Sequence, residues 1–162
     1  MSQIQIESLN IYNKGQHGDL VVYGFFNDFR FLSNFHIVEI PFDGLTYWST
    51  EAAYMSAKTH DPEIKQALAA TRMPSQAKKI GRQLVLRSDW EDVKLGIMEA
   101  VNRVKYITGP SDETKMLGEM LKATVPAVLV EVNWWGDTYW GECKGFGQNN
   151  LGKVLMKIRE EI

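Results

Sequence analysis

Ser88-Asp-Trp-Glu-Asp-Val-Lys-Leu-Gly-Ile-Met-Glu-Ala-Val-Asn-Arg-Val104 decides the fold class of this chain. Trp90, Val93, Ile97, Val101 and Val104 recur at helical spacing, so one face of a long helix is apolar. Ser88, three residues ahead of Glu91, reads as a capping box that starts the helix, and Gly109-Pro110 ends it.

Working outward, helix signals dominate. Upstream, Pro74 to Ile80 reads as a short helix stopped by Gly81, and Asp61-Pro62-Glu63 opens another with a cap, a proline at the first helical position and an early acid. Ser49 or Thr50 caps a helix from about Glu51 to Thr59. Downstream, Ser111 caps a helix carrying Met116, Leu117, Met120 and Leu121, and the chain closes on a helix whose inner face is Leu151, Val154, Leu155 and Ile158. Strand signals are fewer. Leu20 to Phe26 and Ala127 to Val132 read as strands, and His36 to Pro41 pairs with Leu45 to Trp48 across the tight turn Asp43-Gly44. Helices outnumber strands without alternating with them, which predicts an α+β, mainly helical single domain spanning 1–162, with a small sheet.

Bulk properties exclude several classes. With 44% hydrophobic and 23% charged residues, the chain has an ordinary globular composition. A formal charge of −2 supplies no global field for nucleic acid. Cys143, the one cysteine, forbids an internal disulfide framework and fits a reducing compartment. His17, His36 and His60 have no metal-ligand spacing, so no metal is expected. The N-terminus shows no basic region followed by an apolar run, and no apolar run approaches a membrane span. The expectation is a cytoplasmic protein with no membrane partner and no cofactor. Oligomeric state is unreadable here. P-loop, G-x-S-x-G, metalloprotease and zinc-deaminase signatures are all absent.

Two regions carry the residues that chemistry needs. Glu51, Tyr54 and Lys58, at i, i+3 and i+7, share one helix face. They read either as an anionic catalyst with a cation nearby or as a surface acid, a core tyrosine and a solvated lysine. Trp134-Trp-Gly-Asp-Thr-Tyr-Trp-Gly141, running on through Gly145, Gly147, Asn149 and Asn150, concentrates aromatic rings and Asp137 in a segment that cannot be regular structure. Rings, an acid and a mobile glycine backbone suit a flat base attached to a sugar phosphate. Asp137 reads equally as catalyst or as structure, and Asn149 as an N-cap of the last helix that could also touch a ligand. Trp134 and Trp135 read as packing. Trp90 is a core anchor or a stacking ring. Arg82 and Arg87 could grip a phosphate, although a solvated surface reading stands beside that one. Asn34, in Phe31-Leu-Ser-Asn-Phe35, offers an amide or a turn.

Taken together, these segments resemble the YbiA-like, or NADAR, family. The matching pieces are Phe31 to Phe35, Gly44 to Trp48, Thr50-Glu51-Ala-Ala-Tyr54-Met-Ser-Ala-Lys58, Ala77 to Arg82 and Arg87 to Lys94. Leu129 to Glu131, Asp137 to Gly141 and Gly147 to Met156 complete the ordered set, which runs from about residue 25 to the C-terminus. Ala52 stands where many members carry histidine, and the first 20 or so residues lie outside the shared motifs.

The resemblance implies an N-glycosidase acting on a ribosyl phosphate or ADP-ribosyl substrate, either a riboflavin-pathway intermediate or ADP-ribosylated guanine in DNA or RNA. It implies Glu51 and Asp137 as catalytic acids and Lys58 beside them, as an ion partner or an amine nucleophile. Asn34, Tyr54, Arg82, Trp90, Trp140, Gly141 and Asn149 are the expected substrate-binding residues. The rival readings are a non-catalytic module that binds ADP-ribose or NAD, and an interaction domain whose tryptophans are core.

Overall fold

The structure is a computed structural model and describes residues 20–162. The expectations about the N-terminal segment, and His17, lie outside the described residues. By internal contacts the chain forms two compact units, residues 34–115 and, among the described residues, 20–33 with 116–162.

The unit 34–115 is a small hairpin and a set of helices. Strands β2 (Ile40–Phe42) and β3 (Leu45–Tyr47) pair antiparallel, Ile40 opposite Tyr47. Asp43 and Gly44 both take positive φ, 49° and 78°, the two left-handed residues that a type I′ turn requires. The first strand of the hairpin starts later than its β propensity suggested: His36 to Glu39 stay outside the ladder, although the Val38 amide bonds the Trp48 carbonyl at 3.1 Å. Helix α1 (Thr50–Ser56) follows at once, capped by Ser49, whose hydroxyl accepts from the Ala52 amide at 3.1 Å. Helix α2 (Pro62–Ala70) is capped by Asp61, which accepts from the Glu63 and Ile64 amides.

Helix α3 (Pro74–Gly81) packs on α1. A Cβ on Gly81 would lie 2.0 Å from the Met55 sulfur, so only glycine lets the two helices approach this closely. Helix α4 (Trp90–Arg103) runs straight into a π turn, Val104–Thr108, that ends at Gly109 as predicted. The core of this unit comprises Val38, Ile40, Tyr47, Ala53, Met55, Leu68, Met98, Val101 and Tyr106.

The capping box predicted for α4 does not form. Asp89 occupies the cap position and no side chain bonds there. Arg87 explains why: its guanidinium takes both Asp89 oxygens, Nε to Oδ1 at 2.6 Å and a second bond at 2.9 Å. A bidentate ion pair outcompetes a lone hydroxyl for the geometry of that turn.

In the other unit, β1 (Val21–Tyr23) pairs parallel with β4 (Val128–Val130), Val22 opposite Leu129. The apolar run Ala127 to Val132, expected as one strand, divides at Glu131 into β4 and a short β5 (Val132–Asn133), which pairs parallel with β6 (Glu142–Cys143). Helix α5 (Asp112–Lys122) joins the units in sequence, and the Ser111 hydroxyl accepts from the Thr114 amide at its start. Helix α6 (Asn150–Arg159) packs on β4 and buries the expected face, Leu151, Val154, Leu155 and Ile158.

The architecture is mainly helical α+β, as the pattern predicted. Among the described residues the sheet is three two-stranded pieces rather than one.

Candidate active site

The first turn of α1 is held from both sides. The Asn34 carbonyl accepts from the Glu51 amide at 3.1 Å and from the Thr50 hydroxyl at 3.2 Å. The Asn34 side-chain oxygen takes the Thr50 hydroxyl at 3.0 Å and the Asn102 amide at 3.3 Å, while its Nδ2 points at the Met98 sulfur, 3.2 Å away. Both ends of this buried amide are therefore engaged within the fold. Asn34 positions Glu51, and α4 braces Asn34 through Met98 and Asn102.

Glu51 itself is 6% exposed, an uncommon place for a carboxylate. The helix expected to run to about Thr59 ends at Ser56, and Lys58, in the turn that follows, carries its amine 5.8 Å from the Tyr54 ring centre and 5.7 Å from that of Trp90. Those two rings lean together, 5.1 Å apart and tilted 55°. Trp90 is 5% exposed, so it forms a wall beside the amine rather than an open stacking face. The Lys58 carbonyl accepts from the Arg87 amide at 2.8 Å, which ties the end of α1 to the turn before α4.

Burial pushes the Lys58 amine below its ordinary value of 10.5; Glu51 pulls it back up, and Lys78 and Arg82 press it down further. A lysine in this setting releases its proton more easily than one in water, and the aromatic faces still favour the cation when it forms.

Lys78 is a further cation acting on this amine. It lies on α3 four residues before Arg82, and its amine sits 5.3 Å from the Phe35 ring centre. The signal was present in Ala77-Lys78-Lys79-Ile80-Gly81-Arg82: the two cations share one helix face, and the glycine between them marks a close helix contact. Arg87, the other expected phosphate ligand, is already committed to Asp89.

The remaining expected residues belong to the second unit and form a tied loop there. Asp137 Oδ1 accepts from the Tyr139 amide at 3.1 Å and the Trp140 amide at 2.9 Å. Asn133 grips the same residue from behind, its Nδ2 donating to the Asp137 carbonyl at 2.6 Å and its Oδ1 accepting from the Asp137 amide at 2.9 Å. The Trp140 ring stands edge-on to Tyr139 at 4.8 Å, and the Trp140 carbonyl accepts from the Leu151 amide in the first turn of α6.

A Cβ on Gly141 would lie 2.6 Å from the Glu131 carbonyl, so Gly141 serves close packing. Asn149 occupies the cap position of α6 but its side chain does not cap. It reaches back to β4, donating to the Leu129 carbonyl at 2.8 Å and accepting from the Glu131 amide at 3.0 Å. Trp134 and Trp135, expected as packing, are 71% and 55% exposed; they stack on each other at 6.2 Å, and Phe26 meets Trp134 edge-on. The structure thus brings Asn34, Glu51, Tyr54, Lys58, Arg82 and Trp90 onto one unit, and Asp137, Trp140, Gly141 and Asn149 onto the other.

Residues 17–162 match the NADAR domain. The chain belongs to the NADAR domain family. Among NADAR relatives, N-glycosidase YbiA of Escherichia coli (strain K12) is 33% identical over 139 residues, covering 84% of this chain and 83% of that protein. The riboflavin biosynthesis protein VVA0006 of Vibrio vulnificus is 30% identical over 82% of this chain but only 35% of its own length. The riboflavin biosynthesis protein PYRR of Zea mays is 32% identical over 83% of this chain and 23% of its own length, so in both the NADAR match occupies part of a longer protein. The NMR structure of E. coli YbiA superposes with a TM-score of 0.73 at 33% identity, covering 88% of this chain and 83% of that one.

Proposed function

We propose that this NADAR chain is an N-glycosidase, a hydrolase of N-glycosyl bonds, with Glu51 and Lys58 at its reacting centre. The observation that carries the reading is the Lys58 amine, held against Tyr54 and Trp90 in the turn after the helix that buries Glu51, with burial lowering its proton affinity. The names of the YbiA relatives support the reaction class.

Breaking an N-glycosyl bond builds positive charge at the sugar C1′ and negative charge on the departing amine. A buried carboxylate stabilises the first and orients or deprotonates water. Glu51 takes that part. A neutral Lys58 amine adds a second route: it attacks C1′ of the ring-opened ribosyl imine, the base leaves as the free amine, and water then hydrolyses the lysyl imine to return the amine and a sugar aldehyde. The lowered proton affinity of Lys58 favours this route over a purely electrostatic one, because only the neutral amine is a nucleophile.

The substrates we assign are a ribosyl phosphate or an ADP-ribosyl group joined to a base-like amine. Riboflavin-pathway intermediates and ADP-ribosylated guanine in DNA or RNA are the two forms to compare. The names of the Vibrio and maize relatives favour the first. Asn34 positions Glu51, Tyr54 and Trp90 surround the amine, and Arg82 meets the substrate. Asp137 is proposed as a second catalytic acid, and Trp140, Gly141 and Asn149 as substrate-binding residues. A single domain working in the cytoplasm completes the reading.

A mass-spectrometric screen for released base across the metabolite and nucleic-acid substrates tests it. Release from one class names the substrate. Equilibrium binding of ADP-ribose with no release from any would replace the hydrolase by a binding module.

A further inference from the structure

We propose that Lys78, in the last turn of α3, and Arg82, the residue at its C-terminal cap, form the subsite that receives the phosphoryl group of the sugar substrate, an inference that rests on the N-glycosidase reading above. The cap residue keeps αR backbone angles, φ −74° and ψ −19°, so Arg82 follows Lys78 by about one turn. Gly81 lets that helix lie against α1 at Met55, and Lys58 stands in the turn that follows α1.

The Lys78 amine is also placed rather than loose, 5.3 Å from the Phe35 ring centre. Arg82 is exposed and forms no ion pair among the described residues, so its guanidinium is available to an incoming ligand. Arg87 differs: its Nε and one terminal nitrogen are spent on Asp89.

Charge also links the subsite to the reacting amine. The charged groups that act on Lys58 are Glu51 and these two cations, which press its proton off.

The proposal is tested on the full chain by calorimetric titration with ribose 5-phosphate and with ADP-ribose. Lys78→Gln and Arg82→Gln should each weaken binding by about tenfold or more, and Lys78→Arg should keep it, as expected for charge-assisted bonds to an anion. Loss confined to ribose 5-phosphate assigns a monoester; loss confined to ADP-ribose assigns a diphosphate. Either supports the subsite. If the double variant binds both ligands within about twofold of the parent, or if the parent binds neither, the subsite is overturned. Because binding is read without turnover, failure of the parent to release base from any substrate overturns the reaction and leaves this result standing.

Discussion

The Lys58 amine and the Trp90 ring stand 5.7 Å apart, one contributed by the turn after α1 and the other by the start of α4. The bond from the Arg87 amide to the Lys58 carbonyl fixes the spacing of those two helix ends. An amine so placed is partly stripped of water and partly compensated by aromatic faces, and its charge state becomes adjustable.

That adjustability has a pH signature. With its proton affinity lowered in the fold, Lys58 loses its proton at a pH where the unfolded chain still holds one. In the window between the lowered value and 10.5 the unfolded state binds more protons, so this group makes stability rise with pH; below the window its penalty is fully present. Turnover through the neutral amine should rise across the same window and then level. Denaturant midpoints and pH–rate profiles of the parent and of Lys58→Met check both, and a parent rate that falls as Lys58 deprotonates counts against the nucleophile.

Glu51→Gln should keep the fold, because the Glu51 backbone amide still bonds Asn34. Turnover should drop by roughly 10²- to 10⁴-fold, the usual contribution of a positioned acid or base. Removing the acid should also lower the Lys58 proton affinity further, since Glu51 is the group that raises it. Near-parent turnover in this variant would remove Glu51 from the reaction.

Gly81→Ala tests the approach of α3 to α1. The added methyl would meet the Met55 side chain, so the helices must separate or Met55 must turn away, at an expected cost of about 1 to 3 kcal/mol. Met55→Ala in the same chain should recover part of that loss. Equal destabilisation by Gly81→Ala with and without Met55→Ala would disprove the contact.

Asn149→Ala removes two bonds that hold the break between β4 and β5, and leaves the Leu129 carbonyl without its donor. A loss of about 1 to 3 kcal/mol is expected in denaturant unfolding. By contrast Trp134→Ser should change stability by less than about 1 kcal/mol, since the ring is largely in solvent.

The helices were legible because their start signals are local. Ser49, Asp61, Pro74 and Gly109 act within one turn of where they stand, and the structure uses each as read. Ser88 failed because Arg87 and Asp89 settled the same turn between themselves. The division of Ala127 to Val132 was illegible for another reason: it depends on Asn149, 18 residues past Glu131. Spacing put Glu51 and Tyr54 on one helix, but the helix stops at Ser56, so Lys58 reaches Tyr54 from the turn beyond it. What spacing could not supply was the depth of burial at Glu51, or the support that Asn34 receives from Met98 and Asn102, which are more than 60 positions along the chain. Trp134 and Trp135 were misread because large apolar rings are usually buried, whereas here they stack on each other in the open.

That exposed pair gives the protein an optical asymmetry. Of the five tryptophans in the chain, Trp90 alone is buried, while Trp134 and Trp135 face solvent. Emission from the loop pair should lie at long wavelength and yield to an aqueous quencher. Emission from Trp90 should lie to the blue, resist that quencher, and shift as the neighbouring Lys58 amine gains or loses its charge. The chain therefore contains its own reporter on the reacting amine, readable without any label.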